Sequence, residues 1–224
     1  MVKFANEHTC TAVRRMWKIC FGDTDEFIDL YFSEKYKNEN TLVYMQGNDV
    51  VASLQMLPYW FTFYGVEIPI AYISGACTLP AFRGKGLMGK LLIEAFSLMQ
   101  KRNIPLSVLI PAEKWLYDYY SGYGYEKVFD EDDVEIPLKE IWEKSNGDLD
   151  VAYQTFNQLF KDKNFCIQKT KDDFRTIIKD AELEGFPKKT NLSGMMRVID
   201  EKRNRFLKPV KFRENRPILN LMLE

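Results

Sequence analysis

Two segments carry apolar residues at helical spacing, one near the start of the chain and one in its middle. Residues 9–37 predict two helices with a break at Gly22, after which Asp23 or Thr24 is a suitable N-cap. Residues 87–102 predict a third helix with one continuous apolar face. That face consists of Leu87, Met88, Leu91, Leu92, Ala95, Phe96 and Met99.

Between the second and third helices the pattern changes to short apolar runs, which are typical of strands. The predicted strands are residues 41–46, 50–57, 59–64 and 67–77. Glycine-containing turns at residues 47–49 and at Gly65 divide these strands into two hairpins. Consecutive hairpins of this kind predict an antiparallel meander.

The rest of the chain predicts shorter elements in alternation. The first group is a strand at 105–110, a helix at 113–121 and strands at 125–130 and 133–137. The second group is a linker at 145–148, a helix at 149–161, a strand at 165–169, a helix capped by Thr170 and ended by Gly185, and strands at 195–199 and 218–223. We therefore predict an α/β (α+β) protein with a domain at residues 1–140 and a small α+β extension at residues 141–224. The apolar helix faces of the extension need a partner surface, either on that domain or across a subunit interface.

Composition restricts the classes of function. The 224 residues include 31 Lys and Arg against 32 Asp and Glu, so overall charge does not favour nucleic acid or an anionic membrane. No apolar run approaches the ~20 residues of a membrane span, and the polar first residues do not resemble a signal peptide. We expect a cytoplasmic protein with neither a nucleic-acid nor a membrane partner.

Histidine and cysteine are too sparse for several common kinds of active site. His8 is the single histidine, and the four cysteines are scattered with no Cys-x-x-Cys pair. This argues against a histidine-dependent catalytic triad and against a metal centre, and it predicts free thiols. The chemistry must therefore use tyrosine, carboxylates, backbone amides or a bound cofactor.

A glycine-rich basic turn between the last strand of the meander and the third helix carries the clearest chemical signal. Backbone N–H groups converge at such a turn, and the helix N-terminus adds partial positive charge, so the turn suits a pyrophosphate. The glycines are Gly84, Gly86 and Gly89, and the basic residues are Arg83, Lys85 and Lys90. The spacing is neither that of a P-loop nor that of a dinucleotide fingerprint. The alternative is an ordinary helix-start loop whose glycines serve the turn.

The turn resembles the acetyl-CoA signature of the GNAT N-acetyltransferase superfamily, Arg/Gln-x-x-Gly-x-Gly/Ala. Residues 83–88 follow this pattern after a typical Leu-Pro-x-x-Arg lead-in at residues 79–83, except that Met88 replaces the final Gly/Ala. The same departure is typical of the enhanced-intracellular-survival branch of acetyltransferases. Residues 17–23 and 195–200 are also similar to that branch.

The resemblance implies the GNAT fold, a mixed and mostly antiparallel sheet flanked by helices, and acetyl-CoA as cosubstrate without a metal. In that family the strand before the turn pairs with the pantetheine arm. The implied cofactor-binding residues are Ala76, Cys77, Thr78, Arg83, Gly84, Lys85, Gly86, Leu87, Met88 and Gly89. Cys77 allows two interpretations, a covalent acetyl relay or a small strand residue, and the second is favoured because no histidine is available to activate the thiol.

The resemblance also implies catalytic residues. Residues 120–125 match the family element Tyr-x-x-x-Gly-Phe/Tyr, which makes Tyr120 the general acid that protonates the departing CoA thiolate. A phenol with a pKa of ~10 carries its proton at neutral pH, as that role requires. The general base is Glu113 or, as in longer members of the branch, a terminal carboxylate, here that of Glu224. Those longer members carry a second GNAT-like domain and a sterol-carrier-like domain, and residues 141–224 are short enough to be a remnant of both.

These features together predict an acetyl-CoA-dependent N-acetyltransferase acting on a primary amine of a small molecule or a lysine side chain. One alternative is a catalytically silent GNAT-like module that binds CoA, and another is an enzyme fragment that needs association to be active. The resemblance further implies a homo-oligomer. An acidic group at the start of the second helix would attract a cationic amine, although a solvated helix start explains it equally well. Its members are Asp23, Asp25, Glu26 and Asp29.

Overall fold

A computed structural model describes residues 1–202, 204, 207 and 217–222 of the chain. These residues form two compact units, one of residues 1–58 and 71–104, the other of residues 59–70 and those described from 105 onward. Two long strands contribute to both units. The protein is a mixed α/β fold with an open, mostly antiparallel sheet flanked by helices, as the sequence predicts.

The first unit contains the helices and the hairpin strands predicted from the first hundred residues. Its elements are β1 (Val2–Phe4), α1 (Glu7–Phe21), α2 (Asp25–Glu34), β2 (Thr41–Gln46), β3 (Asp49–Phe63), β4 (Val66–Thr78) and α3 (Leu87–Lys101), with β3 and β4 continuing into the second unit. Helix α1 begins at a reciprocal capping box between Asn6 and Thr9 and ends at Gly22 in the left-handed conformation. The N-cap of α2 is Thr24, which resolves the choice between Asp23 and Thr24.

Strand β3 corrects one prediction. Residues 50–57 and 59–64 were expected as two strands, but β3 runs without a break from Asp49 to Phe63. Pro58 lies inside it and is exposed. Proline lacks an N–H donor, so a strand tolerates it only where no ladder hydrogen bond is needed from that residue.

The first unit is held by antiparallel pairing and by an apolar cluster. Strand β2 pairs with β1 and β3, with Leu42 opposite both Phe4 and Leu54. One face of α1 packs on the sheet and completes the cluster. The buried members are Ala5, Val13, Met16, Tyr36, Val43, Val50 and Cys77. This face is the apolar stripe that the helical periodicity predicts.

The second unit contains the shorter elements. They are β5 (Leu106–Leu109), α4 (Lys114–Ser121), β6 (Glu126–Phe129), α5 (Leu138–Lys144), α6 (Leu149–Phe160), β7 (Ile167–Gln168), α7 (Lys171–Leu183) and β8 (Gly194–Val198). Two strand predictions are wrong. Residues 133–137 form only a single bridge from Ile136 to Lys189, and the described residues of 218–223 form only a bridge from Ile218 to Cys166. The predicted linker at 145–148 is instead a tight turn between α5 and α6, with Ser145 buried.

Strand β8 joins the extension to the strands that precede residue 140. It pairs antiparallel with β5, where Ser107 lies opposite Arg197, and with β6, where Glu126 lies opposite Met196. Strand β8 therefore lies between β5 and β6. The extension also has its own apolar cluster, in which Phe156 stacks on Phe174 with ring centroids 4.8 Å apart. The domain boundary near residue 140 stays a prediction.

Helix α7 begins at the predicted capping box and carries one buried carboxylate. Thr170 and Asp173 bond reciprocally to each other's backbone N–H groups. Asp180, farther along the helix, has a side chain only 10% exposed, with Lys189 Nζ 3.9 Å away. Burial, assisted by Glu184, raises the pKa of Asp180 to about 6.

This buried carboxylate predicts a pH-dependent stability. The pKa of Asp180 is higher in the folded state than its unfolded value of ~3.9, so the folded state binds the proton more tightly between about pH 4 and pH 6. Its contribution to stability is therefore complete at low pH and is lost as the pH rises through that window. We expect Asp180→Asn to melt above the wild type at pH 7 and to lose this advantage near pH 4. Thermal melts across this range test it, with the exposed Asp162→Asn as control, and parallel curves for wild type and Asp180→Asn would contradict it.

Candidate functional site

The glycine-rich turn has the backbone that its sequence predicts. After β4 ends at Thr78, a short 3₁₀ turn covers Pro80–Phe82. Gly84 and Gly86 then adopt the left-handed conformation, with φ of 73° and 68°. A Cβ at either glycine would meet no atom of the described residues within 4 Å, so conformation rather than crowding requires glycine here.

The N-terminus of α3 is open to a ligand. Gly86 is its N-cap, and no side chain of the described part of the chain caps it. The first N–H groups of a helix have no partner within the helix, and together with the helix dipole they favour an anion. Leu87 and Gly89 are buried beneath this end, and Met88 is half-buried. The side chain of Met88, which departs from the family pattern, is thus partly accommodated by packing.

The basic side chains of the turn are held close to it. Arg83 Nε donates to the carbonyl oxygen of Thr78 at 3.1 Å, and Lys85 Nζ donates to that of Ala81 at 3.1 Å. Lys90 lies over the Tyr44 ring, 5.6 Å from its centroid. Arg83 and Lys85 therefore brace the turn as well as adding positive charge to it.

The end of β4 places the remaining cofactor-binding candidates in one run. Ala76 and Thr78 are half-buried, and Cys77 is buried with its Sγ 3.5 Å from Ser53 Oγ. A hydrogen bond with Cys20 and burial raise the pKa of the Cys77 thiol well above its ordinary value. A thiol held in its protonated form is a poor nucleophile, which favours the packing interpretation of Cys77 over an acetyl relay.

Cys20 is a residue that sequence reasoning missed. Its Sγ donates to the carbonyl oxygen of Thr78 at 3.6 Å, the same oxygen that Arg83 contacts. The hydrogen bond with Cys77 and the nearby Arg83 guanidinium lower the pKa of Cys20 to about 7. No local pattern links residues 57 and 63 positions apart, so no sequence signal could have found this group.

Strand β4 also contains a left-handed glycine that the sequence does not reveal. Gly75 has a φ of 56° within the strand, and a Cβ on it would lie 2.4 Å from Trp17 Cζ3. Beside it the Tyr31 hydroxyl lies 2.8 Å from Ser74 Oγ and 3.3 Å from Gln55 Oε1. A buried polar group therefore lies directly before residues 76–78.

Three of the four acidic residues at the start of α2 are already engaged. The indole N–H of Trp17 donates to the Asp23 carboxylate, Lys18 pairs with Asp25 at 2.9 Å, and Arg14 pairs with Asp29. The two ion pairs lie at exposed or half-buried positions of α1 and α2. They favour the solvated-helix explanation of the acidic residues over capture of a cationic amine.

Both catalytic candidates lie on α4, in the second unit. Tyr120 is 7% exposed near the end of the helix, with its ring 5.8 Å from that of Tyr125. Burial raises the pKa of Tyr120 to about 12, so its phenol stays protonated. Glu113 is the exposed N-cap residue, and its Oε2 accepts from the Trp115 indole at 2.7 Å. Glu113 and Tyr120 are seven positions apart, a rise of about 10 Å along the helix axis.

The ten predicted cofactor-binding residues thus lie together, on the end of β4 and the turn into α3. Glu224, the alternative base, lies outside the described residues. In the described part of the chain no helix has the length and apolar character to cross a bilayer, and no cluster of three or more His, Cys, Asp or Glu suits a metal ion.

No curated protein matches the chain. A structure from Enterococcus faecalis V583, described as a "Probable N-Acyltransferase", superposes with a TM-score of 0.62 at 16% identity, over 79% of this chain and 47% of that one. A GCN5-related N-acetyltransferase from Anabaena variabilis superposes with a TM-score of 0.58 at 16% identity, over 96% and 63%. Eis1 from Mycobacterium abscessus is a further match, with a TM-score of 0.49 at 13% identity, over 58% and 32%.

The first two superpositions confirm the fold predicted from the sequence. The chain spans less than two thirds of the length of each of the three solved proteins. The family is shown by a sequence model described as "Acetyltransferase (GNAT) domain", which matches residues 1–128, more than half of the chain. The open helix N-terminus after two left-handed glycines lies within the matched region. The chain belongs to the GNAT acetyltransferase family.

Proposed function

We propose that the protein transfers an acetyl group from acetyl-CoA to a primary amine of a small molecule or a lysine side chain. The observation that carries this proposal is the uncapped N-terminus of α3, which the chain enters through the left-handed Gly84 and Gly86 after the short 3₁₀ turn that follows β4. Family membership supports acetyl transfer as the reaction class. The choice of a primary amine as acceptor rests on the general chemistry of the family.

The residues of the turn fit the diphosphate of CoA. The positions beside Gly84 and Gly86 are open, so the backbone N–H groups can be approached closely. Braced by their own hydrogen bonds, Arg83 and Lys85 keep positive charge at this point of the chain. Residues 76–78 would then offer strand backbone to the pantetheine arm.

Acetyl-CoA supplies an activated acyl carbon when bound, and the protein must manage two protons. The acceptor amine attacks the acyl carbon as a neutral nucleophile, forming the C–N bond as the C–S bond breaks. Glu113 would accept the amine proton through water, and the Tyr120 phenol would give its proton to the departing sulfur. Because burial raises the pKa of Tyr120 to about 12, this proton is present throughout the neutral range.

A variant of the turn tests cofactor binding. We expect Gly86→Val to abolish the rise in melting temperature that CoA causes, because a β-branched residue resists the left-handed conformation and blocks the approach to the N–H groups. Gly47→Val is the matched control, since Gly47 has a φ of 61° in an open turn far along the chain from α3. If folded Gly86→Val is stabilised by CoA as strongly as the control, CoA binds elsewhere.

Release of free thiol from acetyl-CoA tests catalysis. The acceptors should include polyamines, aminoglycosides and lysine-containing peptides, and a productive acceptor should increase thiol release in proportion to acetylated product. Stabilisation by CoA without thiol release for any amine would instead support the silent CoA-binding module.

A further inference from the structure

The segment that follows the proposed general acid is a tight turn rather than a flexible loop. The carbonyl oxygen of Tyr120 accepts from the N–H groups of Tyr123 at 2.9 Å and Tyr125 at 3.2 Å. Gly124, between them, has a φ of 78°. This turn leads the chain from the end of α4 into β6, so its geometry fixes where the last residues of α4 lie.

An arginine from the C-terminal extension holds this turn. The Arg197 guanidinium donates from Nη1 to the carbonyl oxygen of Tyr123. A Cβ on Gly124 would lie 2.6 Å from the same Nη1. Gly124 therefore serves two purposes, since it adopts the left-handed conformation and leaves room for the guanidinium against the backbone.

A second chain of contacts joins the same two places. Arg197 lies opposite Ser107 in the β5–β8 ladder. The hydroxyls of Ser107 and Tyr125 are 2.6 Å apart, and Tyr125 is buried with its ring against that of Tyr120. The strand pair formed by β5 and β8 thus reaches Tyr120 through the backbone of the turn and through the Tyr125 ring.

We propose that Arg197 is a positioning residue for Tyr120, and that β8, which carries Arg197, therefore helps to place the general acid. This inference rests on the proposed acetyl transfer with Tyr120 as general acid. The planar guanidinium is suited to the task because it presents several donors in a fixed arrangement, whereas the lysine ammonium is a compact charge on a flexible stem. Tyr120 and Arg197 lie 77 positions apart in the chain. The Tyr-x-x-x-Gly element and the segment of residues 195–197 nevertheless meet in one contact.

Kinetics of Arg197→Met and Arg197→Lys test the role, with Arg175→Met as control. Arg175 is an exposed arginine of α7 that pairs with Asp172. We expect kcat to fall roughly 10- to 100-fold in both Arg197 variants, because a small misplacement of a catalytic group lowers the rate by this much. The KM for acetyl-CoA should stay within about twofold, because the cofactor-binding candidates are untouched. A third variant, Arg197→Ala, leaves space for a free guanidinium ion. Millimolar guanidinium should restore part of its kcat, which it would not do if the variant had merely lost stability.

Hydrogen exchange provides a readout that needs no substrate. In folded Arg197→Lys the amides of Tyr123 and Tyr125 should exchange faster than in the wild type, while those of α7 are unchanged. Unchanged exchange at these two amides, or an unchanged kcat in folded Arg197 variants, would overturn the inference. If the wild type releases no thiol with any amine, the proposed function fails, and exchange alone then decides whether Arg197 holds the Tyr120 turn.

Discussion

Replacing Tyr120 with phenylalanine is expected to lower kcat for acetyl transfer about 10²- to 10⁴-fold while CoA binds as tightly as before. The substitution keeps the ring and its contact with Tyr125, and it removes only the hydroxyl that would protonate the leaving sulfur. Stopped-flow measurement of thiol release gives kcat, and the CoA-dependent rise in melting temperature reports binding. An unchanged kcat with the chemical step rate-limiting would show that Tyr120 is not the acid.

A matched control and a pH profile sharpen this prediction. Tyr117→Phe removes a hydroxyl from the same helix, one that lies 2.9 Å from Ser193 Oγ, and should leave kcat nearly unchanged. If Tyr117→Phe causes the larger loss, Tyr117 is the acid. Because burial raises the pKa of Tyr120 to about 12, its deprotonation should not reduce wild-type kcat between pH 8 and pH 10. An alkaline loss near pH 10 that disappears in Tyr120→Phe would contradict this assignment of its pKa.

Gly75→Ala, which adds a single methyl group, is expected to destabilise the first unit strongly. The left-handed conformation costs a non-glycine residue about 1–2 kcal/mol. The new methyl would also lie 2.4 Å from Trp17 Cζ3 and 3.1 Å from Gln55 Nε2, and forcing atoms into a packed core costs about 1–3 kcal/mol. Trp17 cannot move freely, because it is buried and bonded to Asp23. The expected loss of unfolding free energy is therefore about 2–5 kcal/mol.

Gly47→Ala separates the two contributions to this loss. Gly47 has a similar φ of 61°, but a Cβ there meets no atom of the described residues within 4 Å. It should lose only the conformational part, about 1–2 kcal/mol. Urea denaturation of both variants measures the difference. Equal losses would mean that Trp17 yields without cost and that the surroundings of Gly75 are not tightly packed.

Local signals predicted much of the fold. The periodicity of α1 and α3, the capping box at Thr170 and the turn into α3 all depend on residues a few positions apart, and each is confirmed. Errors arose where a distant partner decides. Two strands were expected on either side of residue 58, but β3 continues through the exposed Pro58. Residues 133–137 alternate like a strand but find only one bridging partner.

The same distinction applies to the site. The backbone of the glycine-rich turn follows from a short motif, because the motif records a local backbone requirement. The role of Tyr120 also comes from a short motif and stays a prediction. Cys20 beside Arg83, and Arg197 beside Gly124, come together only through tertiary packing. A short motif shows that Gly124 is glycine, and the structure shows which side chain takes the space that glycine leaves.

The position of β8 has a consequence for the order of folding. Ser107 and Arg197 are 90 residues apart in the chain, yet they face each other in one ladder, which β8 completes between β5 and β6. Contacts of such long sequence separation form late and slowly, since the intervening chain must first be closed into a loop. During synthesis β5 and β6 leave the ribosome well before β8, so this ladder remains incomplete until residues 194–198 have emerged. The nascent chain must therefore keep the facing edges of β5 and β6 from pairing with other molecules during that interval.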